Sequence, residues 1–399
     1  MIALTLCALI AQDATGTSSG GGRFVSREGP VLEVVLRTEL PSRSGRWPVL
    51  DDDGAGGLLA LWTEPRKAGH SLRLARYHDG SWGEPETLAT GNDWFVNWAD
   101  FPQLASAGDG RAWVSWLRRL GETPYAYGVR VKRSPVGEGH WLHDDTSPTE
   151  HGFVSLVPLE GGRLFSAWLD GRATAEGAPM TLRAAVVDGD GVPGPSFLID
   201  DRVCDCCQTD AAQLADGRIL LAWRDRSDVE VRDISWSAGR PGEPGSWSEP
   251  RLVHGDGWRI PGCPVNGPAV AAGESGAAIA WFSLMDGERP AVHVVFSREG
   301  LSFGDPVRLD SGLPLGRVDC AFLEDGTLVV AWMEQTAEGA EWRLRALAGG
   351  KSPGPPLVLA QVSGERSDGF LRLTAHAGGV AAAFVDGSRV RLLCVEPAR

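Results

Sequence analysis

The chain of 399 residues is short of tyrosine, with 3, and short of cations, with 38 Lys and Arg against 52 Asp and Glu. Its formal charge of -14 excludes nucleic acid and anionic membranes as partners, because both demand a basic surface. Beyond the N-terminus no stretch is apolar for long enough to span a bilayer, so a soluble protein without a membrane span is expected. Helical periodicity is nearly absent, which excludes bundles and α/β folds. What remains is a turn-rich chain, with Gly 52 and Pro 26, whose aromatic content is dominated by Trp 16.

Residues 1–11 read as the apolar part of an export signal and residues 12–22 as a Gly/Ser-rich spacer, although a positive n-region is missing. Export to the periplasm or the extracellular space is the expectation. Residues 23–399 read as one domain, expected to be a monomer. The tryptophans explain why a single domain can be so long. A phrase of small and apolar residues ending in an aromatic recurs at Trp62, Trp116, Trp168, Trp223, Trp281, Trp332 and Phe384, at steps of 51 to 58 residues.

Each of these seven copies reads as four short strands. In the fourth they are expected at 209–215, 218–223, 229–237 and 250–254, with Asp216-Gly217 making the first hairpin turn. Four-stranded units that cannot bury both faces alone stack around an axis, which predicts an all-β, seven-bladed β-propeller; six blades is the alternative if one copy is degenerate. The seventh copy lacks a fourth strand after Val395, and residues 31–39 are expected to supply it and close the ring. In this topology the linkers 91–100, 146–152, 201–208, 256–267, 311–319 and 362–369 converge on one mouth of the central channel. Large ligands bind propellers there, and a small molecule or carbohydrate is the expected partner.

Three of the 7 cysteines stand within four positions, Cys204-Asp205-Cys206-Cys207, in the linker between two copies. The next two linkers supply Cys263 and Cys320. Thiolates converging from separate segments are soft donors that select Cu(I) or Zn, so a metal site is expected on Cys204, Cys206 and Cys263, with Cys207, Cys320 or the imidazole of His151 completing it. Copper is favoured and zinc is the alternative. Residues i and i+2 of an extended chain share a face, which would turn Cys207 aside from Cys204 and Cys206. One or two disulfides are the competing reading, since an exported protein tolerates them, and a reactive thiol is a third. Cys394 reads as core. Trp94, Trp98 and Trp258 either wall a pocket or pack between blades.

Three turns resemble degenerate Asp-boxes of the sialidase, or BNR-repeat, superfamily: Tyr77-His78-Asp79-Gly80-Ser81-Trp82, Gly245-Ser246-Trp247-Ser248, and the turn running from Ser297 to Phe303. With Gly262-Cys263-Pro264-Val265-Asn266-Gly267 and the cysteine run, the chain resembles an uncharacterised cysteine-bearing branch of that superfamily. The resemblance implies hydrolysis of sialic acid glycosides by three arginines, a tyrosine nucleophile activated by Glu, and an Asp general acid. Arg46, Arg118, Arg119, Arg224, Arg226, Arg317 and Arg366 are cations available on the mouth. Two features depart from the pattern. No tyrosine follows Tyr127, and the Arg-Ile-Pro signature is missing where Phe24-Val25-Ser26-Arg27-Glu28-Gly29-Pro30 stands. Asp100, Glu150, Arg226, Asp319 and Arg366 are the candidates for catalytic roles, with two-carboxylate glycoside chemistry as one route. The competing role for each is an ion pair that bridges blades. Three functions follow: a thiolate metal protein with oxidative chemistry, a glycoside hydrolase for anionic sugars, or a noncatalytic binding propeller stapled by disulfides.

Overall fold

The computed structural model describes residues 29–398 apart from 109, 136, 275, 286–287, 298–300 and 350–351. The leader-like segment with Cys7, most of the Phe24–Pro30 stretch and part of the third Asp-box-like turn lie outside the described residues.

Seven antiparallel sheets make seven blades, so the six-bladed alternative is set aside. Their innermost strands are Arg46–Asp52, Gln103–Ser106, His151–Leu159, Asp210–Gln213, Ala269–Gly273, Pro314–Phe322 and Arg372–His376. Each touches the next around the ring, and the last returns to the first. Blade 7 has the strand order predicted for closure: Leu32–Glu39 pairs antiparallel with Arg389–Pro397 as its outermost strand. Glu39 binds Arg389 and Arg391 at that seam. Only 3-10 turns interrupt the strands, and no helix among the described residues is long and apolar enough to cross a membrane.

The recurrent tryptophan has a carboxylate partner in five blades; in blade 2 the buried Trp116 indole N–H has no hydrogen-bond partner among the described residues. Trp62, Trp168 and Trp332, buried in the second strands of their blades, donate their indole N–H to Glu64, Asp170 and Glu334, two residues on, at 2.9, 2.9 and 2.6 Å. Trp223 and Trp281 reach back instead to Asp200 and Asp256, at the outer end of the preceding blade, at 3.0 and 2.6 Å. A buried indole N–H needs an acceptor, and a carboxylate placed beside each of these five satisfies it.

Side chains also sew the inner strands together. Asp51, Asp100, Asp210 and Asp319 accept the backbone N–H of Ser106, Phe153, Val270 and Leu373 in the following blade, at 2.6, 2.9, 2.7 and 2.8 Å. Between blades 3 and 4 the hydroxyls of Ser155 and Thr209 meet at 2.6 Å, and between blades 5 and 6 Asn266 accepts the Arg317 N–H at 2.7 Å. Asp319 is therefore a blade-to-blade staple, buried and contacted by Arg372 at 3.2 Å.

The fourth blade differs from its sequence-based expectation. Its third strand starts at Ile234, not at 229, because Glu230 takes a left-handed backbone (φ 64°) and residues 225–233 form a loop toward the channel mouth.

Candidate functional site

The cysteine loop is fixed from both ends. Val203 N–H bonds Met180 O at 2.9 Å and Cys204 N–H bonds Arg224 O at 3.0 Å, which ties the loop to blades 3 and 4. Gln208 then clasps two other linkers, donating to Ala99 O at 2.6 Å in the linker into blade 2 and accepting from Gly267 N at 3.2 Å in the linker into blade 5. Any side chain at position 267 would collide with the Gln208 backbone, the built Cβ falling 2.0 Å from its carbonyl oxygen.

Within this frame the Sγ atoms of Cys204, Cys206 and Cys207 all lie within 4.8 Å of one another. Cys204 is 3.5 Å from Cys207 and 4.0 Å from Cys206. Cys207 thus turns toward Cys204, not aside, because the chain makes a turn at 205–207 in place of the extended run that alternation assumes. One guanidinium group touches the sulfurs and the charge of a second acts on them. Arg232, 3 % exposed, donates to Cys204 Sγ at 3.2 Å and is held by Glu230 at 2.8 Å. The buried Arg224, whose charge acts on Cys207, has its N–H groups on the carbonyls of Asn266, Arg232 and Phe282, at 2.8, 2.6 and 2.7 Å. Hydrogen bonds from the Cys206 and Cys207 thiols, with the Arg232 charge beside them, hold the Cys204 thiol well below its usual range. The other two are pushed up, Cys206 chiefly by its bond to Cys204 and Cys207 chiefly by burial. One anionic sulfur with two thiol donors is the resulting state.

Three expected ligands stand elsewhere. Cys263 is exposed on the neighbouring linker and is not part of the group within 4.8 Å. Cys320 is buried in the inner strand of blade 6, where burial and Asp319 raise its thiol. His151 is wholly buried in a polar cluster between blades 2 and 3: it stacks on His143 at 4.1 Å and meets Asp145 at 3.1 Å and Thr149 O at 3.3 Å. Both of its ring nitrogens are engaged there, which separates it from the thiols.

An arrangement that sequence reasoning missed lies next to the cysteine loop. The Tyr127 hydroxyl is 2.6 Å from Glu150 and 2.9 Å from Asp100. Its ring stacks on Phe95 at 3.9 Å and is 1 % exposed. A neutral phenol carries one proton and donates to one carboxylate; the second contact requires that the other carboxyl be protonated. Asp100, 3 % exposed, can hold that proton: burial raises it to about 7, while its other oxygen takes the Phe153 N–H. Burial raises Glu150 to about 7 as well, and the charge of Asp205 adds to the effect. Asp205 pairs with Arg226 at 3.0 Å and Arg226 with Glu230 at 2.8 Å, so ionic contacts run from the thiols toward this triad.

Most of the mouth cations are engaged. Arg118 is on Asp93, and Arg317 donates to Glu365 O, Gly369 O and Gly364 O at 3.0, 2.9 and 3.2 Å. Exposed Arg366 lies 5.9 Å from the Trp98 ring. Trp98, half-buried, stacks on Phe370 at 5.8 Å, whereas Trp94 and Trp258 are buried in blade packing. Four non-glycine residues at or next to the start of inner strands, Trp47, Phe153, Val265 and Arg317, have left-handed backbones with φ of 50, 53, 51 and 54°. Each such conformation costs on the order of 1–3 kcal/mol, and strain of this kind gathers at functional sites. No residue type announces it in the sequence.

Fold and site together define a β-propeller with a thiol cluster at one mouth. Solved structures that resemble it include propeller enzymes acting on carbohydrates. The polysaccharide lyase Uly1 matches with a TM-score of 0.50 at 9% identity, covering 89% of this chain and 91% of that one. A GH93 α-L-arabinofuranosidase of Fusarium graminearum matches with 0.49 at 11% identity, over 91% and 98%. The NanB sialidase of Streptococcus pneumoniae matches with 0.47 at 10% identity, over 92% and 70%. At such identities the likeness shows a shared fold alone. No protein-family profile and no curated protein matches the sequence.

Proposed function

We propose that the chain is an exported β-propeller that holds a thiophilic metal ion, Cu(I) in preference to Zn(II), on Cys204, Cys206 and Cys207 at the mouth of its channel. The observation that carries this reading is the trio of sulfurs within 4.8 Å. Soft thiolates suit both metals, but a structural zinc site takes four ligands, and three sulfurs satisfy Cu(I). Three thiolates around a monovalent ion leave two negative charges. Arg232 on Cys204 offsets one of them, and the charge of Arg224 acts on Cys207 in the same sense. Bound copper supplies one-electron chemistry; the protein's part is a rigid, half-shielded ligand set.

Anaerobic titration of the reduced protein against a chromogenic Cu(I) chelator tests this. One equivalent is expected to bind, and Cys206→Ser to weaken it by about 100-fold, as loss of one of three ligands implies, with Cys394→Ser unchanged. Binding no tighter in the wild type than in Cys206→Ser sinks the proposal.

Glycoside hydrolysis is the second reading, favoured by the short Tyr127–Glu150 contact of 2.6 Å. The burial of Tyr127 beneath Phe95 opposes it. Turnover of a fluorogenic sialoside, abolished in Tyr127→Phe, is its test.

A further inference from the structure

The three thiols of the proposed metal site differ in access. Cys204 and Cys207 are each 1 % exposed, whereas Cys206 is half-buried and the one of the three that a bulky reagent can reach. They differ in their contacts as well, because the Arg232 guanidinium donates to Cys204 Sγ at 3.2 Å and holds that sulfur in place. They also differ in how well they can pair. Adjacent Cα atoms are about 3.8 Å apart across a trans peptide, below the roughly 4.4–6.8 Å that an unstrained disulfide spans, so Cys206–Cys207 is a poor pair. Cys204 and Cys207 have the Cys-x-x-Cys spacing and sulfurs 3.5 Å apart, closer than the 4.0 Å of Cys204 and Cys206.

We propose that Cys204, Cys206 and Cys207 form a thiol–disulfide relay, in which Cys206 meets small-molecule disulfides and Cys204–Cys207 is the resident redox pair. In the first step the Cys206 thiol exchanges with a disulfide RSSR, forming Cys206–S–SR as its proton leaves with the departing sulfur as RSH. Cys204 then attacks Cys206 Sγ, forming a Cys204–Cys206 disulfide and releasing the second RSH. Cys207 finally attacks Cys204 Sγ and displaces the Cys206 thiolate. Two protein thiols lose two electrons and two protons, RSSR gains them as two RSH, and Cys206 emerges free for the next cycle. The metal reading enters in one consequence only: the oxidised form has lost two of three ligands and releases the ion.

The experiment uses reduced, chelator-treated full-length protein equilibrated in glutathione redox buffers, with alkylation and peptide mapping. At equilibrium the peptide carrying 204–207 is expected to be two hydrogens lighter, with a single alkyl group on Cys206. Rapid quenching of the wild type is expected to trap glutathione on Cys206 transiently, a readout that needs no variant. Cys206→Ser is expected to slow oxidation by at least about tenfold while moving the glutathione ratio at half-oxidation by less than about threefold, because the resident pair is intact. No disulfide, a stable disulfide that includes Cys206, or unchanged kinetics in Cys206→Ser each overturn the relay. Cu(I) titration of the same reduced sample separates the two readings. A protein that runs the relay but binds no Cu(I) refutes the metal centre and leaves the relay standing; one that binds Cu(I) and forms no disulfide does the reverse.

Discussion

Asp100 stands where two requirements conflict. Its hydrogen bonds from the Phe153 N–H and the Tyr127 hydroxyl favour a carboxylate, while its burial and the charge of Glu150 favour a carboxylic acid. Burial decides for the acid and raises the group to about 7. The folded value lies above the unfolded value near 4, so the stability that this proton contributes is fully present below about pH 4 and is lost as pH rises toward 7. Asparagine at this position reproduces the protonated form: its carbonyl accepts from Phe153 and its amide donates to Tyr127. Asp100→Asn is therefore expected to stabilise the protein by roughly 1–3 kcal/mol at pH 8 and to leave it unchanged at pH 4, read from urea unfolding at both values. A destabilised variant at pH 8 would show that burial does not penalise the ionised Asp100 in the native state. This triad was half legible. Asp100 and Glu150 stand out in the sequence as acidic residues of mouth-facing linkers, but Tyr127 offers no local sign that it belongs with them. Likewise the cysteine run is conspicuous, whereas Arg232, 28 positions from Cys204, is not.

At the scale of the element, strands and turns follow from patterns a few residues long, and these were legible. The tryptophan at the end of each second strand was visible too, but its partner was only partly so. In blades 1, 3 and 6 the acceptor comes two residues later along the same strand, whereas Trp281 takes Asp256 from the end of the previous blade. The link makes that carboxylate a structural group with two donors, the indole and the His254 ring at 2.7 Å. Asp256→Ala is expected to cost about 1–3 kcal/mol, the cost of leaving a buried indole N–H unmet. Trp281→Ala, which opens a large cavity, is expected to cost about 3–5 kcal/mol. Chemical denaturation of both variants checks the ranking, and equal costs would mean that packing of Trp281 contributes nothing beyond its indole bond.

The whole molecule is held by closure. Leu32–Glu39 shields the edge strand Arg389–Pro397, and Arg389 and Arg391 grip Glu39 across a separation of some 350 positions. Removing residues 29–39 is expected to expose that edge and yield aggregates, seen as a shift to large species in light scattering; a monodisperse monomer of normal thermal stability would contradict the closure. Burial raises Asp51 and Asp200 to about 6 and Asp210 to about 7, adding to Asp100. Asp170, held by Arg172 and lowered to about 2 in spite of burial, acts oppositely: its contribution is kept above about pH 4 and lost below it. Stability is thus expected to peak on the acid side of neutrality, with the thermal midpoint falling from pH 5 to pH 8.

By itself the sequence determined the number of blades, their strands, the closing role of the N-terminal run and the crowding of three thiols into one linker. All of these rest on alternation, turn chemistry and repeat length, which act over short stretches of chain. Only the tertiary structure decided that Cys207 joins Cys204, that Cys263, Cys320 and His151 do not, and that Asp319 is a staple. Those outcomes depend on the angle at which each loop leaves its blade and on which buried groups demand a partner, and both are set only when the ring is complete.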